Sequence, residues 1–297
     1  MAIVLGPDGL QVAYSNHSGE VVFCRAYEGQ VDREQLLDSL VDEYGWQQMP
    51  CTVVLHPAYY QLVQAEAPAV PEQEMATAVR WKVKDLLDVP LHDAAVEYFS
   101  LPEDAYRGQR KMLYVAAVRT KTLQSLAGLV QRAGFAVDSV EITELAVHNL
   151  ITRVPLAAGG VAMMSLMEVE GLINLVEDGA IYLCRRLDIG CAALAGDTLA
   201  RSREALVLEI QRSLDFYESQ LGKGVITQLL YAPAVAELQP MAEFLDTQLG
   251  LNILPLPVPE QVSADLDGEE VARCYAAIGA ALGEASTSPT GVASAAH

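Results

Sequence analysis

The sequence predicts an α/β protein built from one unit used twice, with a small α+β block inserted into the first copy. Three observations carry this. Three short apolar or alternating segments, broken by turns, open the chain at residues 2–27, and a second such triplet runs over 161–187. Each triplet is followed by a segment with helical apolar spacing and then by an apolar run of strand length. Between the copies, at about residues 59–134, lies a block with strand and helix patterns of its own.

Residues 2–5 are wholly apolar, and Gly6-Pro7-Asp8-Gly9 has the composition of a turn. Residues 10–15 alternate, 16–19 turn, and 20–27 alternate again, as half-buried strands do. Asp32 is placed to cap a helix whose buried stripe is Leu36, Leu37, Leu40 and Val41, and 52–55 reads as a buried strand. In the insert, 60–66 alternates, and Pro68 and Pro71 introduce a helix over 72–87 that stops before Pro90. Residues 96–101 and 112–118 read as a strand pair, and 120–133 as a helix stopped by Gly134. A strand at 136–141 and a helix at 143–151 return to the first unit.

The second copy has strands at 161–167, 171–176 and 180–187, with Glu177-Asp178-Gly179 as a hairpin turn. A long helix over 198–221 places Leu206, Ile210, Leu214, Tyr217 and Leu221 on one face. A strand at 227–231, a helix at 235–249 and a strand at 252–255 follow, then a helix of small residues over 271–282. Residues 284–297 are rich in Ser, Thr, Ala and Gly without apolar periodicity, the composition of a disordered tail. The expected division is 1–156 for a first domain holding the insert at about 59–134, 157–284 for a second domain, and 285–297 for the tail. Three meandering strands, a helix and a strand, twice over, are the ground plan of the actin-like, duplicated ribonuclease-H-like superfold.

Composition narrows the function. Of 297 residues, 52% are hydrophobic and 20% charged, which fits a globular chain. Acidic residues outnumber basic ones 39 to 19, for a net charge of −20. That field repels phosphate backbones, so no nucleic acid is expected as partner, and basic partners are favoured. Five cysteines without a C-x-x-C pair read as reduced core thiols. No basic segment followed by an apolar one opens the chain, so no secretory signal is expected. The charge-free apolar stretch at 154–167 is too short to span a bilayer and contains Pro155, Gly159 and Gly160. A cytoplasmic protein is expected, with membrane association only through partners.

Three stretches resemble a known family. Pro71, Glu74, Ala78, Arg80 and Trp81 stand in a helix similar to the P-x-x-E-x-x-x-A-x-R-W-E helix of PilM-type pilus-biogenesis proteins. Leu113-Tyr114-Val115-Ala116-Ala117-Val118, with Ala133-Gly134-Phe135 downstream, resembles their "LLVAA … AAGL" element. Residues 208–221, LEIQRSLDFYESQL, resemble the "EIRRSLDYYESQ" helix, most of all as it occurs in the branch serving mannose-sensitive haemagglutinin (MSHA) pili. The resemblance covers roughly residues 50–221. It implies the FtsA/PilM variant of the actin-like fold, with the extra subdomain where the insert lies. It also implies a role as a cytoplasmic scaffold at the inner membrane. Such a scaffold holds the short cytoplasmic tail of a PilN-like bitopic protein, in a groove between the first subdomain and the insert, and helps connect it to the pilus assembly ATPase. Tyr59, Arg80, Trp81 and Lys84 are the residues expected to line that groove; a core position for Trp81 with solvated cations beside it is the alternative.

Where the family holds nucleotide, this sequence departs from it. Actin-fold ATPases need an aspartate near the end of the first strand of each half, for magnesium and water, and Gly, Ser or Thr, so that backbone N–H groups reach the phosphates. The family's D-I-G-S-S is here Leu5-Gly6-Pro7-Asp8-Gly9, in which Pro7 has no N–H to give. Its D-I-G-A-S-S-T is here Ser165-Leu166-Met167-Glu168-Val169-Glu170-Gly171. Its adenosine-loop Gly-Gly is here Ala232-Pro233 after Tyr231. No cofactor is expected, and the chain is read as a non-enzymatic interaction protein. The alternatives are an actin-fold ATPase using Asp8 or Asp188 in a divergent pocket, or a relative of the cytoplasmic domain of a type II secretion L-protein. His17, His56, His92, His148 and His297 lack metal-ligand spacing, and Gly222-Lys223-Gly224 reads as a helix stop, not a phosphate loop. Asp215 and Glu218 are expected to face solvent, with Arg212 in i,i+3 support.

Overall fold

The computed structural model describes residues 1–7, 9–29, 32–106, 110–156, 159–195 and 199–283. The expected tail at 285–297, and Asp8, lie outside them. The first part of the chain forms β1 (Ala2–Gly6), β2 (Gly9–Ser15), β3 (Val21–Glu28), α1 (Arg33–Tyr44) and β4 (Pro50–Leu55). The insert follows as β5 (Tyr60–Glu66), α2 (Glu72–Val83), β6 (Ala94–Ser100), β7 (Met112–Arg119) and α3 (Thr120–Arg132), and the chain returns through β8 (Ala136–Ile142) and α4 (Thr143–Ile151). The second part forms β9 (Val161–Leu166), β10 (Gly171–Glu177), β11 (Ala180–Leu187), α5 (Cys191–Ala195), α6 (Leu199–Ser219), β12 (Gln228–Ala232), α7 (Gln239–Leu249), β13 (Asn252–Pro255), α8 (Gly268–Arg273) and α9 (Tyr275–Leu282).

Two five-stranded sheets have the same plan. Their orders are β3-β2-β1-β4-β8 and β11-β10-β9-β12-β13. In each, the first three strands form an antiparallel meander, and the last two lie parallel to the first strand and to each other. The central strands read as unbroken apolar runs because both their faces are covered. Period-2 alternation then divides each between two cores. Ala2 and Val4 of β1, with Val161 and Met163 of β9, point into a core shared by the two sheets and filled by α4 and α9. Ile3 and Leu5 point instead at Leu37, Leu40 and Val41 of α1 and Val130 of α3. Ala162, Met164 and Leu166 point at Leu206, Ile210 and Tyr217 of α6 and Met241 and Leu245 of α7.

The insert is an antiparallel sheet of order β5-β7-β6. Val79 and Val83 of α2 cover its outer face, on Ala65, Leu113 and Val115. From the inner face, Leu62, Phe99, Ala116 and Val118 join the core around α1 and α3. The same face docks on the second half. The Tyr114 hydroxyl donates to the Cys184 carbonyl at 3.1 Å and accepts from the Cys184 N–H at 2.8 Å, so it occupies the free edge of β11. The loop after β6 adds Asp104, which holds Lys223 at 2.5 Å and accepts from the Tyr182 hydroxyl at 3.0 Å.

Asp32 caps α1 as the sequence predicts, its side chain accepting from the Gln35 N–H at 3.1 Å. Other boundaries differ. The helix expected over 72–87 ends at Val83, because Gln61 of β5 donates to the Leu86 carbonyl and accepts from the Asp88 N–H, each at 2.9 Å. The helix expected over 271–282 is two helices, the first capped by Asp267. Arg212 pairs backwards with Glu209 at 2.5 Å, not forwards with Asp215. Among the described residues no helix is long and apolar enough to cross a membrane.

Candidate functional site

The equivalent turns of the two sheets, β1–β2 and β9–β10, lie near each other at the cleft between the halves, and His56 connects them. This residue follows β4, and its N–H donates to the Leu5 carbonyl at 3.2 Å. A Cβ on Gly6 would stand 3.3 Å from the His56 ring, so the histidine packs directly on the first turn. Arg33, at the start of α1, donates to the carbonyls of Gly6 and Pro7, the latter at 2.7 Å. The described part of this turn therefore offers oxygen to a cation, and Pro7 offers no N–H.

The second turn is closed on itself. The Met167 N–H donates to the Glu170 carbonyl at 2.8 Å. The carbonyls of Met167 and Glu168 accept from the N–H groups of Cys191 and Ala192, at 2.8 and 3.0 Å. The Cys191 and Ala192 N–H groups, which a helix start can offer an anion, are thus engaged by the turn itself. Gly190 makes this approach possible, since a Cβ there would lie 2.5 Å from the Met167 and Glu168 oxygens. The Glu170 carboxylate, only 13% exposed, receives the Arg186 Nε–H, and its other oxygen lies 3.4 Å from His56 Nδ1. Ser165 is buried on β9 where the family carries an aspartate, Ala232 and Pro233 are buried at the end of β12, and Asp188 is exposed.

Beneath the turns sits a buried carboxyl. Glu144, 3% exposed, takes a hydrogen bond from the Tyr60 hydroxyl, and its backbone carbonyl accepts from Asn174 Nδ2 at 3.1 Å. Burial pushes its pKa up to about 7, against the Tyr60 hydrogen bond. Burial also pushes Glu141 up to about 7, against a hydrogen bond from Asn149. Below about 4.5 such a carboxyl is protonated in both folded and unfolded chains. From there to about 7 the folded chain keeps a proton that the unfolded chain has lost, so stability falls as pH rises through that window. Each group contributes about 3 kcal/mol to the fall at 1.36 kcal/mol per pH unit. Glu144→Gln stays neutral and still accepts from Tyr60. It is expected to halve this slope and to be more stable than wild type above pH ~7. Urea unfolding across the window checks it; a variant that tracks wild type at every pH contradicts the assignment.

Of the four residues expected to line a groove, Arg80 and Trp81 stand on α2, Lys84 just past its end, and Tyr59 immediately before β5. Arg80 donates to the Leu91 and Ala94 carbonyls, at 3.1 and 3.3 Å, and so ties α2 to the start of β6. Trp81 is 63% exposed, on the face of α2 opposite Val79 and Val83, which removes the core alternative for it. Lys84 is exposed just past the end of the same helix, and Tyr59 is half-buried with its hydroxyl 3.5 Å from Arg33. Of the residues gathered around these turns, His56, Glu144, Glu170 and Arg186, the sequence singles out His56 only as a histidine without metal-ligand spacing and Glu170 as a charge in the second turn, and it gives no signal for Glu144 and Arg186.

No protein-family model matches this sequence, and no curated protein matches it. Solved structures do. A PilM–PilN type IV pilus biogenesis complex contains a chain 17% identical, with TM-score 0.77, covering 94% of this chain and 96% of that one. A Bacteroides thetaiotaomicron protein of actin-like ATPase fold and unknown function is 10% identical, with TM-score 0.54, covering 85% and 89%. The cytoplasmic domain of EpsL, an inner-membrane component of the Vibrio cholerae type II secretion system, is 13% identical, with TM-score 0.51, covering 91% of each chain. Together with the repeated sheet plan, these likenesses show that the chain has an actin-like α/β fold.

Proposed function

We propose that this protein is a non-enzymatic, cytoplasmic adaptor of PilM type, which holds the cytoplasmic tail of a PilN-like membrane protein in a pilus inner-membrane complex. The observation that carries this reading is the likeness, over nearly the whole of both chains, to a protein solved as a PilM–PilN complex. The sequence resemblance at 71–81, 113–118 and 208–221 supports it independently. Within the family, the run at 208–221 favours MshI, the counterpart serving MSHA pili. Contact with the assembly ATPase and attachment to the membrane through partners belong to the same reading. The net charge of −20 suits it, since cytoplasmic flanks of membrane helices are rich in Lys and Arg. The likeness to the EpsL cytoplasmic domain favours, as a second reading, the same adaptor role in a type II secretion system.

On the insert, Trp81 and Lys84 remain the residues proposed to meet the tail. A tryptophan this exposed on a helix has the character of a binding anchor, whereas Arg80 is occupied by backbone carbonyls. Synthetic tail peptides from PilN-like proteins, titrated by calorimetry, test the proposal. Trp81→Ala is expected to weaken binding by about 2 kcal/mol, near thirtyfold, with unchanged circular dichroism. Lys84→Ala is expected to lower the on-rate and its salt dependence more than the off-rate. If both folded variants bind as wild type does, the site lies elsewhere. If wild type binds no tail at any salt concentration, the adaptor reading fails.

A further inference from the structure

We propose that Cys24 and Cys274 form a redox modification site, at which a peroxide oxidises the two thiols to a reversible disulfide. The residues stand near opposite ends of the chain, yet the fold lays them face to face. Cys24 is on β3, at the edge of the first sheet, and Cys274 is the joint between α8 and α9. Contacts beside them fix how strand and helix cross. The Ala26 N–H, two residues after Cys24, donates at 2.8 Å to Glu270 Oε2, four residues before Cys274. Further along the strand, Glu28 holds Arg273 at 2.7 Å, and Arg273 is folded back on Glu269. Two residues of strand and one turn of helix each span about 6–7 Å. With Ala26 on Glu270, the two elements therefore bring Cys274 against Cys24. Both thiols lie in the core between the sheets.

The pair is asymmetric. A hydrogen bond from Cys274 holds the Cys24 thiol below its ordinary pKa, against burial and the charges of Glu270 and Asp267. The same bond, with burial, raises Cys274. Cys24 also keeps 6% exposure where Cys274 has none, so the oxidant meets Cys24 first. Its sulfur attacks one oxygen of hydrogen peroxide, the O–O bond breaks, and the departing hydroxide takes the Cys24 proton as water. Cys24 is then a sulfenic acid. The Cys274 sulfur attacks the Cys24 sulfur, the S–O bond breaks, and the hydroxyl leaves as water with the Cys274 proton. Two thiols and one peroxide become one disulfide and two waters, and a thiol reductant reverses the bond. Burial raises the other three thiols, Cys51, Cys184 and Cys191, and no second thiol is among the described groups that act on any of them. The new bond fastens the joint of α8 and α9 to the edge of the first sheet and closes nearly the whole chain into one ring, the kind of link that restricts an unfolded chain most.

Peptide mapping tests the site. The reduced full chain is treated with limiting hydrogen peroxide, quenched, unfolded, alkylated and digested for mass spectrometry. The expected product is a linked Cys24–Cys274 peptide pair, lighter by two hydrogens, which dithiothreitol separates, with Cys51, Cys184 and Cys191 still alkylated. Cys274→Ala is expected to stop the oxidation at the Cys24 sulfenic acid, so that dimedone labels Cys24 in the variant and not in wild type. Absence of the linked pair at every dose that leaves circular dichroism unchanged overturns the proposal, as does a bond from Cys24 to Cys191 instead. Equal dimedone labelling of Cys24 in wild type and variant also overturns it, because Cys274 then does not resolve the sulfenic acid. Should Cys274→Ala not fold, Cys274→Ser keeps the size, removes the thiol and carries the same comparison with the same outcomes.

Discussion

Replacing Gly279 by alanine is expected to destabilise this protein by about 3 kcal/mol or more, a large share of the ~5–15 kcal/mol that holds a domain folded. The reason lies in the core between the two sheets. There α9 crosses α4 so closely that a Cβ on Gly279 would lie 2.0 Å from the Ala146 carbonyl oxygen, 3.0 Å from its carbon and 3.1 Å from Leu150 Cβ. Backbone cannot swing aside as a flexible side chain can, so one helix must move. Both are buried, against Ala2, Val4, Val161 and Met163 of the central strands. Alanine gains helix propensity over glycine by only about 1 kcal/mol, which does not offset the clash. Gly224→Ala is the control, because its added Cβ meets nothing within 4 Å and its backbone is not left-handed. Urea unfolding of the two variants decides the matter. Equal or greater stability for Gly279→Ala would show that the two halves are not joined through this crossing.

Much of this architecture was legible because it rests on local chemistry. The apolar runs that became β1 and β9 announce strands covered on both faces, and Asp32 announces the start of α1 three residues before the N–H it caps. What was not legible depends on groups remote in sequence. The end of α2 is set by Gln61, more than twenty residues upstream, which satisfies the backbone at Leu86 and Asp88 in place of another helical turn. Arg80 reads as a free surface cation until β6 brings the Leu91 and Ala94 carbonyls beneath it. Trp81 was half legible: the spacing of Val79 and Val83 fixes the buried face of the helix, and Trp81 stands opposite, but an aromatic residue weighs towards the core in any composition-based reading. The candidate site shows the same division. Departures from the nucleotide-binding pattern at Pro7, Ser165, Glu168 and Pro233 are readable directly. The approach of His56 to Glu170 is not, since it is made by two sheets folding towards each other, whereas Arg186 reaches Glu170 within one hairpin of the second sheet.

The second large effect concerns ATP. A nucleotide-binding cleft of this fold must supply backbone N–H donors, a carboxylate to order magnesium, and room for the β- and γ-phosphates. Here the carbonyls of Gly6 and Pro7 face Arg33, and the N–H groups of Met167, Cys191 and Ala192 are engaged within the protein. Glu170 brings a formal negative charge into the cleft, and Ser165 stands in the place of the metal-ordering carboxylate. Glu170 already holds Arg186, so a phosphate entering there must displace a formed ion pair. The account of this protein as an adaptor that works without nucleotide stands on this point. Calorimetric titration of the full chain with ATP and magnesium tests it most directly. The expected result is no saturable heat with ATP at concentrations up to about millimolar; a dissociation constant in the low micromolar range would contradict it.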